Sequence, residues 1–153
     1  MAAPKILNTG FDINGVQLRW AEVSLSSAEL LALRATPKTL VAAPGAGKKI
    51  AFVGADLYLD ATATAYVESS ANLGIKFENG SGVQVCETIE ATGFIDQTAD
   101  TATSARPKLD SIVAKTGCEN KALVLHNLGA GEYTTGTGTM RVKVWFFVFS
   151  TGW

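Results

Sequence analysis

The segment Met140 to Thr151, MRVKVWFFVFST, constrains the fold more than any other stretch of the chain. Met140, Val142, Val144, Phe146 and Val148 alternate as one row, the period-two pattern of a strand with one face turned to a core. The opposite row starts polar, with Arg141 and Lys143, and then becomes Trp145, Phe147 and Phe149. A strand that is apolar on both faces is covered on both. In a lone sandwich the outer face is wet, so the aromatic row lies under a helix or arm of its own chain, or it meets another chain. The second is favoured here.

Much of the remaining sequence has the same texture. Val16, Leu18 and Trp20 alternate with Gln17 and Arg19 after the turn signal Asn14-Gly15. Thr39 to Ala43 and Ile50 to Leu59 read as two further strands. In the longer one, Val53, Ala55, Leu57 and Leu59 share a face, and Gly54 opposite them marks a bulge or a close backbone approach. Ala63 to Glu68 follows. Leu73, Ile75 and Phe77 then alternate cleanly, and Asn79-Gly80-Ser81-Gly82 predicts a hairpin into Val83 to Glu90. Ala122 to His126 is strand-like, and Gly129 to Thr139 is a glycine–threonine loop.

Helical signals are few. Ser26-Ser27-Ala28-Glu29 has the form of a capping box, and Leu30, Leu31 and Leu33 follow until Thr36-Pro37 ends the run. This predicts a helix of two turns plugging one end of a sandwich. Pro107 to Val113 is compatible with a second short helix, with Gly117 just past its end. Met1 to Asp12 shows no period and reads as an extended N-terminal arm on a body spanning 13–153. Roughly eight short, turn-separated strands in a single domain predict an all-β fold: an antiparallel sandwich with one or two short helices, and a jelly roll as the leading topology.

Composition narrows the function. A 47% hydrophobic and 18% charged chain of 153 residues can bury a proper core without disulfide staples. Its net charge of −1 argues against nucleic acid held by an overall basic field. No run of about twenty apolar residues is present to span a bilayer. The start, MAAPKIL, lacks the apolar segment of a signal peptide, and Cys86 and Cys118 stand outside any C-x-x-C. The expectation is reduced, partly buried thiols in a protein made in a reducing cytoplasm, with no nucleic-acid or membrane partner.

Only Pro44-Gly45-Ala46-Gly47-Lys48-Lys49 resembles a catalytic motif. A phosphate-binding loop needs G-x-x-x-x-G-K-[ST] opening a helix. Here Ala42 stands at the leading glycine position, Lys49 replaces the Mg²⁺-binding hydroxyl, and the segment that follows reads as a strand. The plainer reading is a glycine-rich turn with Lys48 and Lys49 as exposed charges. His126 is the chain's one histidine, too few for a cupin-like metal site or a Ser-His-Asp hydrolase. Asp56, Asp60, Glu87 and Glu90 form no recognisable glycosidase pattern and read as solvated strand-end carboxylates. No enzyme activity and no cofactor are expected.

From about Ser24 to Trp153 the chain resembles a type of small virion protein of tailed bacteriophages and prophages. The resemblance is carried by ATPKTLVAAPGAGKKIAFVGADLYLD, ETIEATGFIDQTAD, CENKALVLHN and the closing VKVWFFVFSTGW. It implies a capsid cement or decoration protein that binds the major capsid protein on the outside of the shell, as a homotrimer with a sandwich or jelly-roll body. Trp145, Phe147, Phe149, Trp153, Lys48 and Lys49 are then the candidate subunit or capsid interface. The alternative is a receptor- or glycan-binding module of a tail or head fibre, in which Tyr133 and Trp153 would stack on sugars.

Overall fold

The computed structural model describes the backbone of residues 5–13 and, with their side chains, residues 16–69 and 71–152. The elements run β1 (Lys5–Ile13), β2 (Val16–Leu25), α1 (Ser27–Leu31), β3 (Lys38–Val41), β4 (Lys48–Asp60), β5 (Tyr66–Val67), β6 (Leu73–Phe77), β7 (Thr101–Ala105), α2 (Lys115–Cys118), β8 (Leu123–Asn127), β9 (Thr134–Thr135) and β10 (Thr139–Ser150). A five-stranded sheet has the order β1-β2-β10-β4-β7, a three-stranded sheet the order β3-β8-β6, and β5 pairs with β9. All pairings are antiparallel. The chain is an all-β sandwich with two short helices.

Strand β10 is central to the large sheet because it pairs with β4 along its length, from Thr139 to Ser150, and with β2 over Met140 to Phe146. Its Met140, Val142, Val144 and Phe146 are buried with Ala21, Val23 and Leu25 of β2 and Ala55, Leu57 and Leu59 of β4. Leu40, Leu73, Ile75, Leu123 and Leu125 close the core from the smaller sheet. Full burial of each Val, Leu, Ile, Met or Phe side chain among these contributes about 1.5–3 kcal/mol.

Two strand faces differ from the sequence expectation. Trp145 pairs with Gly54 and Phe146 with Phe52, so Val53 is the extra residue of a β-bulge. The bulge shifts the alternation: Ile50 joins the core and Val53 is 39% exposed rather than sharing the face of Ala55. In β2 the buried residues are Ala21, Val23 and Leu25, which puts Trp20 on the outer face opposite Trp145. The Asn14-Gly15 turn lies outside the described residues, as do Met1 to Pro4 of the segment read as an arm. Over Lys5–Ile13 that segment is strand β1, paired with β2, because the strand's outer edge offers it a hydrogen-bonding partner.

The capping box forms as its residues predict. The Glu29 N–H donates to Ser26 Oγ at 3.3 Å, and the Ser26 N–H donates to Glu29 Oε2 at 2.9 Å. The Lys38 ammonium bonds the same carboxylate and, with the Ser26 backbone, holds its pKa below the ordinary carboxylate value. The helix ends at Leu31, shorter than two turns, and buried Leu30 and Leu33 anchor it on the core. Ser26→Ala is expected to lower stability by about 1 kcal/mol, measured as a shift in urea midpoint without a change in slope.

The hairpin after β6 also forms. Gly82 is required there, since a Cβ would fall 1.7 Å from the Phe77 carbonyl oxygen. The returning segment pairs irregularly with β6, through Lys76–Gln84 and Leu73–Ile89 bridges, and is not a continuous strand. Pro107 to Val113 is not a helix. Pro107 bridges Cys86, the Lys108 N–H donates to the Val85 carbonyl at 2.9 Å, and Ser111 Oγ donates to the Gln84 carbonyl at 2.7 Å. These bonds hold the segment extended along residues 84–87, and Gly117 falls within α2 rather than past a helix end.

Candidate interaction surface

The outer face of the large sheet is built from register. Across β2, β10 and β4 one row reads Ser24, Arg141, Tyr58, the next Glu22, Lys143, Asp56, and the next Trp20, Trp145, Gly54. Beyond these, Phe147 lies opposite Ala51 and Phe149 opposite Lys49. Polar residues thus occupy one end of the face and aromatic residues the other. Within the sheet β10 touches β2 and β4, and α1 approaches with its Leu30 in the core.

The aromatic end is ordered by its own contacts. Phe147 and Phe149 rings stand 5.9 Å apart at a tilt of 48°, within the range of favourable aromatic pairs. The Lys143 ammonium lies 4.3 Å from the Trp20 ring centre and 5.7 Å from that of Trp145. Such a cation over an indole adds about 0.5–1 kcal/mol at an exposed site. Trp145, Phe147 and Phe149 are each half-buried, so part of every ring remains open to solvent.

At the polar end the Arg141 guanidinium lies 4.6 Å from the Tyr58 ring centre and 3.5 Å from Asp60 Oδ2. Tyr58 Oη donates to Asp100 Oδ2 at 2.9 Å, and that bond to a carboxylate raises the phenol's pKa above its ordinary value. Asp56 accepts from Ser104 Oγ at 2.7 Å. These carboxylates serve as partners for neighbouring side chains across the sheet.

Of the residues singled out in the sequence, Trp145, Phe147, Phe149 and Lys49 share this face, with Lys49 directly opposite Phe149. Lys48 opens β4 opposite Ser150 and is exposed. Trp153 lies outside the described residues. The glycine loop before Lys48 has no free amide cradle, because the Gly45 N–H donates to Asn120 Oδ1 at 2.9 Å and the Gly47 N–H to Glu119 Oε1 at 3.3 Å. It crosses from the small sheet to the large one and continues as a strand. Tyr133 is unsuited to stacking on a sugar: it is 2% exposed, and its hydroxyl donates to the Ala71 carbonyl at 2.7 Å. His126 is buried in β8, and among the described residues no three His, Cys, Asp or Glu side chains gather as a metal site would need. Cys86 and Cys118 are both buried free thiols.

Several surface residues escaped the sequence reading. Trp20 belongs to the aromatic end, and the signal was its parity within β2: it is out of step with Ala21, Val23 and Leu25. Leu109 and Ile112 are 96% and 93% exposed on the pinned 106–114 segment. Only the loss of the expected helix reveals them.

No family model matches the sequence, and no curated protein matches it. Among solved structures, the chain is similar to one described as the cyanophage Pam1 capsid asymmetric unit. The TM-score is 0.48 at 18% identity, over 96% of this chain and 91% of that one.

Proposed function

We propose that this chain is a non-enzymatic structural protein of a phage virion, a cement or decoration protein that binds the major capsid protein on the assembled shell as a homotrimer. The observation that carries this reading is the partly solvent-open aromatic end of the large sheet, Trp20, Trp145, Phe147 and Phe149 on one face. Rigid aromatic side chains on a sheet are suited to the buried centre of an interface, with the charged Arg141 and Lys143 rows as its rim. Leu109 and Ile112 offer a second apolar contact. The sequence resemblance to small tailed-phage virion proteins supports the same role.

The strand order supports a jelly roll. Going from β2 to β10, the chain visits the large sheet at β2, β4, β7 and β10, and the small one at β3, β6, residues 83–89 and β8. Read across the sheets, that gives two interleaved four-stranded layers, the jelly-roll arrangement of many capsid and lectin domains. A protein that binds the lattice and not the free subunit stabilises the closed shell by mass action. Trimerisation multiplies modest contacts into avidity.

The test is incubation with mature shells of the parent phage prepared without this protein, followed by sedimentation and image reconstruction. Stoichiometric binding to shells, none to free capsid subunits, and a solution mass three times that of the chain are expected. Absence of shell binding across salt conditions rejects the cement role, and a clean monomer by light scattering rejects the trimer.

A further inference from the structure

The outer face of the small sheet carries a wide-mouthed, solvent-open cavity of about 670 Å³ lined in part by Arg34, Lys76, Ser81, His126 and Glu132. The two sheets pack through their inner faces, so this cavity opens on the side of the sandwich away from the aromatic surface. Its walls are fixed by hydrogen bonds within the chain. Asn127, wholly buried, donates from Nδ2 to the Gly131 carbonyl at 3.0 Å and accepts the Gly129 N–H on Oδ1 at 2.8 Å. The Glu132 carboxylate accepts the Arg34 N–H at 2.8 Å and the Ala35 N–H at 2.6 Å. Gly80 lies against the imidazole, where a Cβ would approach His126 Nε2 to 2.5 Å.

We infer that this cavity binds a small hydroxylated carboxylate of sugar-acid size, held by Arg34 and Lys76. Arg34 Nη1 donates to the Gly129 carbonyl and Lys76 Nζ to the Gly80 carbonyl. Those bonds aim both groups and leave further N–H donors on each, since a guanidinium carries five and an ammonium three. Glu132 offsets only one of the two cations; the two backbone amides that it accepts orient its carboxylate and leave its negative charge in place. Bringing two cations together is unfavourable until an anion arrives. Burial, and then the Arg34 charge, lower the Lys76 pKa, and burial followed by the Lys76 charge lowers that of His126.

Charge selects the ligand class. Two cations against one carboxylate leave a single net positive charge, which matches a monoanion. A dianionic phosphate would bring its second charge beside Glu132. The planar guanidinium also fits a carboxylate by paired parallel bonds. Volume leaves room for more than a bare carboxylate, since the open cavity falls within the range of about 300–1,000 Å³ typical of small-molecule sites. Ser81 is among its lining residues, and its hydroxyl can meet a hydroxyl group of the ligand. His126 is 6% exposed with no hydrogen-bond partner on Nδ1, and it reports from the cavity wall.

Because His126 is the chain's one histidine, its imidazole resonances give an unambiguous NMR probe of the cavity. The free protein is titrated with glucuronate, glucose, acetate and inorganic phosphate at constant ionic strength. Glucuronate is expected to shift the His126 signals saturably and to raise the imidazole pKa, because a bound anion favours the protonated ring. Acetate and phosphate are expected to bind at least about tenfold more weakly, and glucose not at all. Arg34→Gln and Lys76→Gln should each weaken glucuronate by about tenfold or more, with the remaining resonances showing an intact fold. No saturable shift with glucuronate overturns the proposal. So does equal binding of glucose or acetate, or tighter binding of phosphate. These wild-type arms decide the matter even if a variant fails to fold, and they are independent of whether the protein binds shells.

Discussion

Phe146→Ala is expected to be among the most damaging single substitutions in this chain, lowering stability by about 3–5 kcal/mol. Phe146 is 1% exposed at the point where β10 pairs with both Arg19 of β2 and Phe52 of β4, next to the bulge at Val53. Truncation there removes the ring's burial and leaves a cavity, and the sheet cannot collapse around it because β10 is held on both edges. In a domain of this size each kcal/mol moves the melting temperature by about 2–4 °C, so calorimetry should show a fall of roughly 6–20 °C. A fall of only a degree or two would mean that the ring does not face the core.

Phe147→Ser, one residue further on, is expected to do the opposite. Its ring is half-buried on the outer face, packed on Phe149 and placed opposite Ala51. Stability should therefore drop by only about 1 kcal/mol, a fraction of a full burial term. Affinity for shells should fall by about thirtyfold or more, the loss of one central aromatic contact worth about 2 kcal/mol. The measurement is shell binding by sedimentation beside calorimetry on the same preparation. Wild-type affinity in the folded variant would exclude this face as the docking surface. Melting as low as that of Phe146→Ala would mean that the outer face is core.

The contrast between these two neighbours was legible in the sequence, because a period of two assigns successive residues of an unbulged strand such as β10 to opposite faces. Local chemistry likewise determined the Ser26–Glu29 capping box and the turn through Gly82, since each is closed by residues a few positions apart. The all-β class followed from the repetition of such segments between turns.

Other features depended on contacts distant in sequence. The face of Trp20 is ambiguous in the sequence because both rows of β2 contain apolar residues, and the tertiary structure turns Ala21, Val23 and Leu25 inward. Val53 broke its row because a bulge costs one residue of register, which no single strand announces. Pro107 to Val113 had helix-compatible residues, but bonds to Gln84 and Val85 hold it extended. The cavity of Arg34, Lys76, His126 and Glu132 was invisible for the same reason: its members come from the turn after α1, from β6 and β8, and from the loop before β9. The sequence by itself determined which side chains alternate, which turns close and where a helix begins, because those are decided within one strand or one turn. Tertiary structure alone decided which face is inside, where register slips and which distant charges meet, because each needs a partner strand to be in place.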